Sequence, residues 1–336
     1  MGFLATLNRF TGSAFGIMVK RCSGLYDWQQ HQINAPDFDE ASLPAGALDY
    51  LQPDNPRLLE LERRYAAFDP AVITPSVWSK DTIDERSLRF FRGDNPYVWQ
   101  RPGFNSNELA YALSYLSLKA GSAASILNKL PEDGQFGAKT VSIDKRLVSR
   151  DLLDSVREIE FLQVHAGLGN SAHSVLDIGA GYGRLAHRLN ETTGANVSIF
   201  ATDAFPQSTF LAEYYLRFRK AERARVIPLD EVEAFLASNP IDVATNIHSF
   251  SECTPEAIAW WVQRLARHDV RYLMVIPNGE ARDGSIRCQI NRGGGDMEAI
   301  FENFGYRIKV REPRHAEPLA QRYGLDPAQL NLFELN

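Results

Sequence analysis

The segment Val175-Leu-Asp-Ile-Gly-Ala-Gly-Tyr-Gly-Arg-Leu185 constrains this chain more than any other. Residues 174–178 read as a buried strand, Gly179, Gly181 and Gly183 as a turn, and Leu185, Ala186 and Leu189 recur at helical spacing. Glycine takes positive φ without strain and lets a ligand approach the backbone closely. The third glycine falls one position earlier than in the G-x-G-x-x-G dinucleotide fingerprint, which would require glycine at Arg184. Asp177, just before the turn, would repel a pyrophosphate, whereas a carboxylate there suits an ammonium group, directly or through water.

The pattern continues to the end of the chain. Asp151 is the expected N-cap of a helix with apolar positions Leu152, Val156, Ile159 and Leu162. Further strands are expected over 197–202, 225–228, 241–247, 270–276, 306–310 and 331–335. Helices are expected over about 207–220, after Thr254-Pro255-Glu256, and over 297–304 before Gly305. The expected fold is therefore α/β and Rossmann-like: a seven-stranded, mainly parallel sheet with helices on both faces, spanning residues 151–336. Residues 1–150 differ in texture, with Pro36, Pro44, Pro53, Pro56, Pro70 and Pro75 breaking the chain into short pieces. They are expected to form a mainly helical auxiliary or substrate region, and 336 residues suffice for both parts.

Ligands in such sheets bind at the carboxyl ends of the strands, near the topological switch point, so the loops after residues 178, 203, 230 and 247 are the ones to search. Asp203 closes the second strand twenty residues after Gly183, where an acid can accept both hydroxyls of a ribose. Ala204 and Phe205 follow where an adenine ring would pack. Asp230, after the third strand, suits either the adenine amino group or the N-cap of a helix beginning at Glu231.

Net charge is −6 with both signs interspersed, so the chain lacks the basic field that binds nucleic acid. Cys22, Cys253 and Cys288 form no C-x-x-C pair, which argues against a zinc knuckle or disulfide framework and fits a cytoplasmic setting. Met1 to Thr6 match an N-myristoylation pattern, but Arg9 interrupts an apolar run already too short to span a bilayer. A short helix at a homo-oligomer interface or a membrane surface is the plainer reading, and no membrane span is expected.

Together these residues resemble motif I and the second-strand acid of the class I S-adenosylmethionine-dependent methyltransferases. The segment Asn246-Ile-His-Ser-Phe-Ser-Glu-Cys253 resembles, more narrowly, the Asn-x-x-Ser-Phe-x-Glu-Met stretch after the fourth strand in a sugar O-methyltransferase family, with Cys253 in place of methionine. The turn from Gly179 to Ala186 is also typical of that family, and the likeness runs from roughly residue 75 to the end. It implies S-adenosylmethionine as methyl donor and S-adenosylhomocysteine as product. It also implies cofactor contacts from Asp177, Gly179, Ala180, Gly181, Gly183, Asp203, Ala204, Phe205, Asp230 and Asn246, and a sugar or glycoside hydroxyl as acceptor. A polyketide, peptide or lipid hydroxyl is the alternative acceptor, and an inactive cofactor-binding partner protein the alternative role.

Methyl transfer to a hydroxyl needs a base beside the methyl group, and histidine is the side chain whose charge changes near neutrality. His248, directly after the fourth strand, is the expected base, with Glu252 orienting the imidazole or binding a sugar hydroxyl. Phe250, Trp260 and Trp261 either exclude water or belong to the core. The acids Glu252, Glu280, Asp283 and Asp296 could hold a divalent ion, but no spacing dictates one and none is predicted. Arg292 and Gly293-Gly-Gly295 suit a lid over the acceptor. Arg86, Arg89, Arg92 and Arg101, around Phe90, Phe91 and Trp99, read either as a grip on an acceptor anion or as a solvated face. Ser149 and Arg150 are expected to reach the cofactor's carboxylate.

Overall fold

The computed structural model describes residues 39–73, 83–93, 107–278, 296–325 and 328–336. Its N-terminal part supplies short helices: α1 (Ala47–Tyr50), α2 (Pro56–Ala66), α3 (Pro70–Ile73), α4 (Glu85–Arg89), α5 (Glu108–Ala120) and α6 (Ala124–Lys129). Pro56 and Pro70 each open a helix, where the missing N–H costs nothing and φ is already set. A hairpin of β1 (Thr140–Ile143) and β2 (Arg146–Ser149) follows, unforeseen in the sequence. It turns through Asp144 and Lys145, both at positive φ, as a two-residue hairpin turn requires.

Helix α7 (Arg150–His165) leads into the sheet. Its N-cap is Ser149, whose hydroxyl accepts from the Leu152 amide at 3.2 Å, and not Asp151 as the sequence pattern predicts. Asp151 lies in the first helical turn with its carboxylate directed inward, to a buried partner described below.

The sheet comprises β3 (Ser174–Ile178), β4 (Ser198–Thr202), β5 (Ala224–Val226), β6 (Val243–Ile247), β7 (Tyr272–Ile276), β8 (Tyr306–Pro313) and β9 (Gln329–Leu335). These are the seven strands expected, in spatial order β5-β4-β3-β6-β7-β9-β8, with only β9 antiparallel to its neighbours. The connecting helices are α8 (Arg184–Thr192), α9 (Pro206–Phe218), α10 (Val232–Ser238), α11 (Pro255–Arg267), α12 (Met297–Asn303) and α13 (Pro318–Tyr323). Strands β3 and β7 are buried along their whole length, as a parallel sheet covered on both faces demands. At the edge, β8 exposes Arg307, Lys309 and Arg311, charges that discourage pairing with another chain. Among the described residues no helix is long and apolar enough to cross a membrane.

Alternation along the strands sorts the core into two halves. Leu176, Ala244, Leu273 and Val275 face one way, and Val175, Val243, Met274 and Ile276 the other. Both halves draw on residues before position 150. On the first face Leu58, Leu61, Tyr65, Leu88 and Phe91 pack with Phe210, Leu211 and Trp261. On the second, Tyr111, Tyr115, Ile126 and Leu127 pack with Leu152, Val156 and Ile159. Polar contacts reinforce the first: Arg57 pairs with Glu213 at 2.6 Å, and the Tyr65 hydroxyl meets Thr209 at 2.9 Å and accepts from the Leu229 amide at 2.8 Å.

Arg92 is fully buried, with its guanidinium shared between Asp151 at 3.0 Å and Glu132 at 2.8 Å. Removing one side of a buried ion pair strands the other charge in a low-dielectric interior. Arg92→Met should therefore destabilise the protein by about 3–5 kcal/mol, read as a lowered denaturation midpoint in urea; a loss below about 1 kcal/mol would show that the two carboxylates do not need the guanidinium.

Candidate functional site

The order of strand addition reverses between the parallel strands β3 and β6, and a cavity of about 1370 Å³, its open mouth included, lies at their carboxyl ends. Its floor is the glycine turn after β3, and the loops after β4 and β6 close two sides. Val72 and Ile73 of α3, Arg150, Asp151 and Asp154 of α7, and Ala257 and Trp261 of α11 complete the wall.

The turn needs glycine for two reasons. Gly179, Gly181 and Gly183 all have positive φ, at 70°, 57° and 83°. A Cβ on Gly179 would in addition lie 2.3 Å from the Ser249 hydroxyl and 2.4 Å from its Cβ. The Gly179 and Ala180 amides donate to the Thr202 carbonyl at 2.9 and 3.1 Å, which ties the turn to the end of β4.

Asp203 is held by the same turn. Its Oδ2 accepts from the Gly181 amide at 2.9 Å and its Oδ1 from the Phe205 amide at 2.8 Å, so both oxygens are oriented and each keeps a lone pair. Burial, only partly offset by those two amides, pushes its carboxyl up to about 6. Asp177 lies deeper, 3% exposed, and accepts from the Thr245 hydroxyl at 2.7 Å. Burial raises its carboxyl to about 7, against the pull of that hydrogen bond and of the Arg184 charge.

His248 follows β6 at φ 67°, ψ −35°, a conformation a histidine adopts only when its surroundings impose it. Its amide donates to the Ile276 carbonyl of β7 at 2.7 Å, and its carbonyl accepts from the Ser251 amide at 3.0 Å. The imidazole thus stands at the cavity on a backbone fixed from both sides. Glu252, in the 3-10 turn Ser249–Glu252, shares that wall and accepts from the Asn278 amide group at 2.8 Å.

The structure brings Asp177, Gly179, Ala180, Gly181, Asp203, Ala204, Phe205, His248 and Glu252 onto one cavity. Three expected contacts do not reach it. The Asp230 carboxylate is clasped by Arg64 of α2 at 2.7 and 2.9 Å and does not line the cavity. Asn246 is fully buried: it donates to the Ile178 carbonyl at 3.0 Å and accepts from the Phe250 amide at 2.8 Å, so it fixes the loop that carries His248. Gly183 caps α8 and packs on Leu216.

Other expectations are redistributed. Arg150 does line the cavity. Arg92 cannot grip an external anion, since it is buried among carboxylates, and Arg89 is engaged by Glu40 and Glu85. Trp261 lines the cavity, whereas Trp260 packs edge-on to Phe68 at 5.5 Å and Phe250 lies in the core against Phe301. Asp296 caps α12. Burial pushes the Cys253 thiol up to about 12, so it is a small apolar wall residue and not a nucleophile. Arg101, Trp99, Glu280, Asp283, Arg292 and the glycines at 293–295 lie outside the described residues, as do Met1 to Thr6, Cys22 and Cys288. Among the described residues no three His, Cys, Asp or Glu side chains converge to hold a metal ion.

Sequence reasoning missed several wall residues. Tyr182 and Arg184 stand inside the glycine motif, where spacing alone gives them no role at the wall. Arg184 pairs with Glu158 at 2.7 Å, and Asp154 with Arg314 at 3.0 Å and Arg150 at 3.2 Å. Val72 and Ile73 carry no local signal at all, because α3 reaches the site only through tertiary packing.

No family model and no curated protein matches the chain. Among solved structures it is similar to a SAM dependent methyltransferase from Aquifex aeolicus, at 17% identity over 52% of this chain and 87% of that chain, with a TM-score of 0.38. It is similar to magnesium protoporphyrin IX methyltransferase from Synechocystis PCC 6803, solved with bound SAM, at 13% identity over 67% and 97%, with a TM-score of 0.38. The Mitomycin 7-O-methyltransferase MmcR aligns at 16% identity over 82% and 75%, with a TM-score of 0.39. Likeness at these values says nothing about chemistry, which must be read from the cavity.

Two outcomes follow from the carboxyl and the strained backbone. An unfolded aspartate titrates near 4 and the folded Asp177 near 7, so stability present below about pH 4 is lost as pH rises through 7, a cost of roughly 4 kcal/mol. Asp177→Asn keeps an oxygen for Thr245 and escapes that cost, so its advantage over wild type should widen between pH 5 and pH 8 in urea titrations. An advantage independent of pH would mean that Asp177 is already ionised in the fold. His248→Gly should melt above His248→Ala, because glycine relieves about 1 kcal/mol of strain at this φ; equal melting temperatures would show the backbone to be unstrained.

Proposed function

We propose that this chain is an S-adenosylmethionine-dependent O-methyltransferase that methylates a hydroxyl of a sugar or glycosylated small molecule, with S-adenosylhomocysteine as the second product. The observation that carries the reading is the meeting of His248, at the end of β6, with the glycine turn and the two buried aspartates on one cavity. When bound, S-adenosylmethionine supplies an electrophilic methyl group on a sulfonium.

The residues fit that cofactor. Asp203 keeps lone pairs for the two ribose hydroxyls while backbone amides fix its plane. Asp177 suits the ammonium group, and a cation beside it would draw out the proton that burial retains. Arg150 suits the carboxylate. Ala204 and Phe205 suit the adenine ring, with Asp230 taken by Arg64. Asp151 is paired with Arg92 and Asp154 with Arg314, while Asp177 and Asp203 have hydroxyl and amide donors, so the acidity left at the glycine turn suits a cationic cofactor better than a phosphate-bearing one.

At the acceptor, His248 would take the hydroxyl proton as the oxygen attacks, and Glu252 would accept from a neighbouring hydroxyl. The positive charge of the sulfonium would be dispersed in the transition state and pass to the imidazole, so the apolar wall of Val72, Ile73, Ile247 and Trp261 favours the displacement by keeping water out. The same wall suits the C–H face of a sugar or an attached aglycone, and it equally favours the second reading, a polyketide or lipid hydroxyl. An acceptor screen of glycosides against aglycones separates the two.

S-adenosylhomocysteine at one hundred times its dissociation constant should stabilise wild type by about 2.7 kcal/mol and leave Asp203→Ala unchanged in thermal-shift assays. His248→Ala should keep that shift while losing about 10²- to 10⁴-fold in methyl transfer. Normal turnover by His248→Ala would remove the base, and no shift in wild type would remove the cofactor.

A further inference from the structure

We infer that Arg92 and Tyr182 are positioning residues for the cofactor, joined through the Asp151 carboxylate, so that the N-terminal segment sets the shape of the glycine turn. The inference rests on the cofactor reading above.

Tyr182 stands between Gly181 and Gly183, both at positive φ and both without a side chain to fix the backbone. What fixes it is the phenol. Its hydroxyl donates to Asp151 Oδ2, and its ring packs against Phe91 at 5.2 Å and edge-on to Tyr215 at 5.0 Å. Asp151 is in turn held from the other side. Arg92 donates to it through Nε at 3.1 Å and Nη2 at 3.0 Å, and Ser149 donates its hydroxyl. Phe91 and Arg92 are neighbours in the chain, so one short N-terminal stretch grips the turn twice, by an apolar contact and through a carboxylate.

The link continues to the ligand. The residue before Tyr182 is Gly181, whose amide orients Asp203. A displaced phenol would carry that amide with it and turn the carboxylate that receives the ribose. Arg92 thus reaches Asp203 through Asp151, Tyr182 and Gly181, without touching the ligand. The charges around the link are balanced: Arg92, Arg188 and Arg219 face Glu132, Asp133 and Asp151. Neutral substitution of Arg92 would unbalance them and threaten the fold, so the test uses changes that keep charge and volume.

Tyr182→Phe deletes one hydroxyl and keeps the ring. Arg92→Lys keeps the charge and loses the fork that bridges two carboxylates. Isothermal titration with S-adenosylhomocysteine should show each variant binding about tenfold more weakly than wild type, with the melting temperature of ligand-free Tyr182→Phe within about two degrees of wild type. The double variant should bind no more weakly than either single one, since both break the same link. Wild-type affinity in folded Tyr182→Phe would overturn the inference, and so would losses that multiply, which would mean that the phenol meets the ligand directly. Should Arg92→Lys fail to fold, the affinity of Tyr182→Phe decides alone. Failure of wild type itself to bind would overturn the cofactor reading, a different result from either.

Discussion

Everything at the site depends on β3 having a parallel partner on each side. Asp177 stands opposite Ala201 of β4 and Thr245 of β6, and Ile178 opposite Thr202 and Asn246. That register brings three strand ends into one row, so Asp177, Asp203 and His248 converge although 71 residues separate the first from the last. A slip of one residue would turn Asp177 to the opposite face and send an apolar side chain to the cavity. The pairing is protected against such a slip because both faces of β3 are buried and its alternate residues belong to different halves of the core.

Carboxyl groups are buried here in two ways. Asp151 has full ionic partners: burial works against its charge, but Arg92 and Arg188 outweigh it and hold the carboxyl well below the usual carboxylate range. Asp177 and Asp203 have only hydroxyl and amide donors, and burial lifts them towards neutrality. The first arrangement is self-sufficient and serves architecture. The second leaves two carboxyls without an ionic partner of their own at the glycine turn, surroundings that suit hydroxyl donors or a positive charge.

What the sequence revealed and what it hid have a common cause. The strands were legible because period and burial repeat locally, and Asp177 and Asp203 because an acid at a strand end next to a glycine turn has few other uses. Asp230 had the same credentials, but its partner Arg64 lies on a helix 166 residues upstream, which no local pattern could disclose. Arg92 looked like one of a surface cluster because the acids around it, Glu132 and Asp151, are distant in sequence. Asn246 matched the family segment correctly in position, yet its amide is spent on the backbone of the loop, a role that a match of residue types does not distinguish from ligand contact. Val72 and Ile73 were invisible for the plainest reason, since an apolar residue facing a cavity looks the same as one facing the core.

The share that residues before position 150 take in both halves of the core bears on how the chain acquires its structure. Helices α1, α2, α5 and α6 leave the ribosome first, but the helices against which they pack, α9 for α1 and α2 and α7 for α5 and α6, are made only later. Arg57 must wait for Glu213, and Tyr65 for Thr209 and Leu229. These helices therefore emerge with their apolar faces uncovered, and pairings of such long sequence separation form slowly. A nascent chain of this design keeps those helix faces uncovered for longer than one whose sheet is translated first, and the cavity, walled by α3 at one end of the sequence and α11 at the other, can close only once α11 has been made.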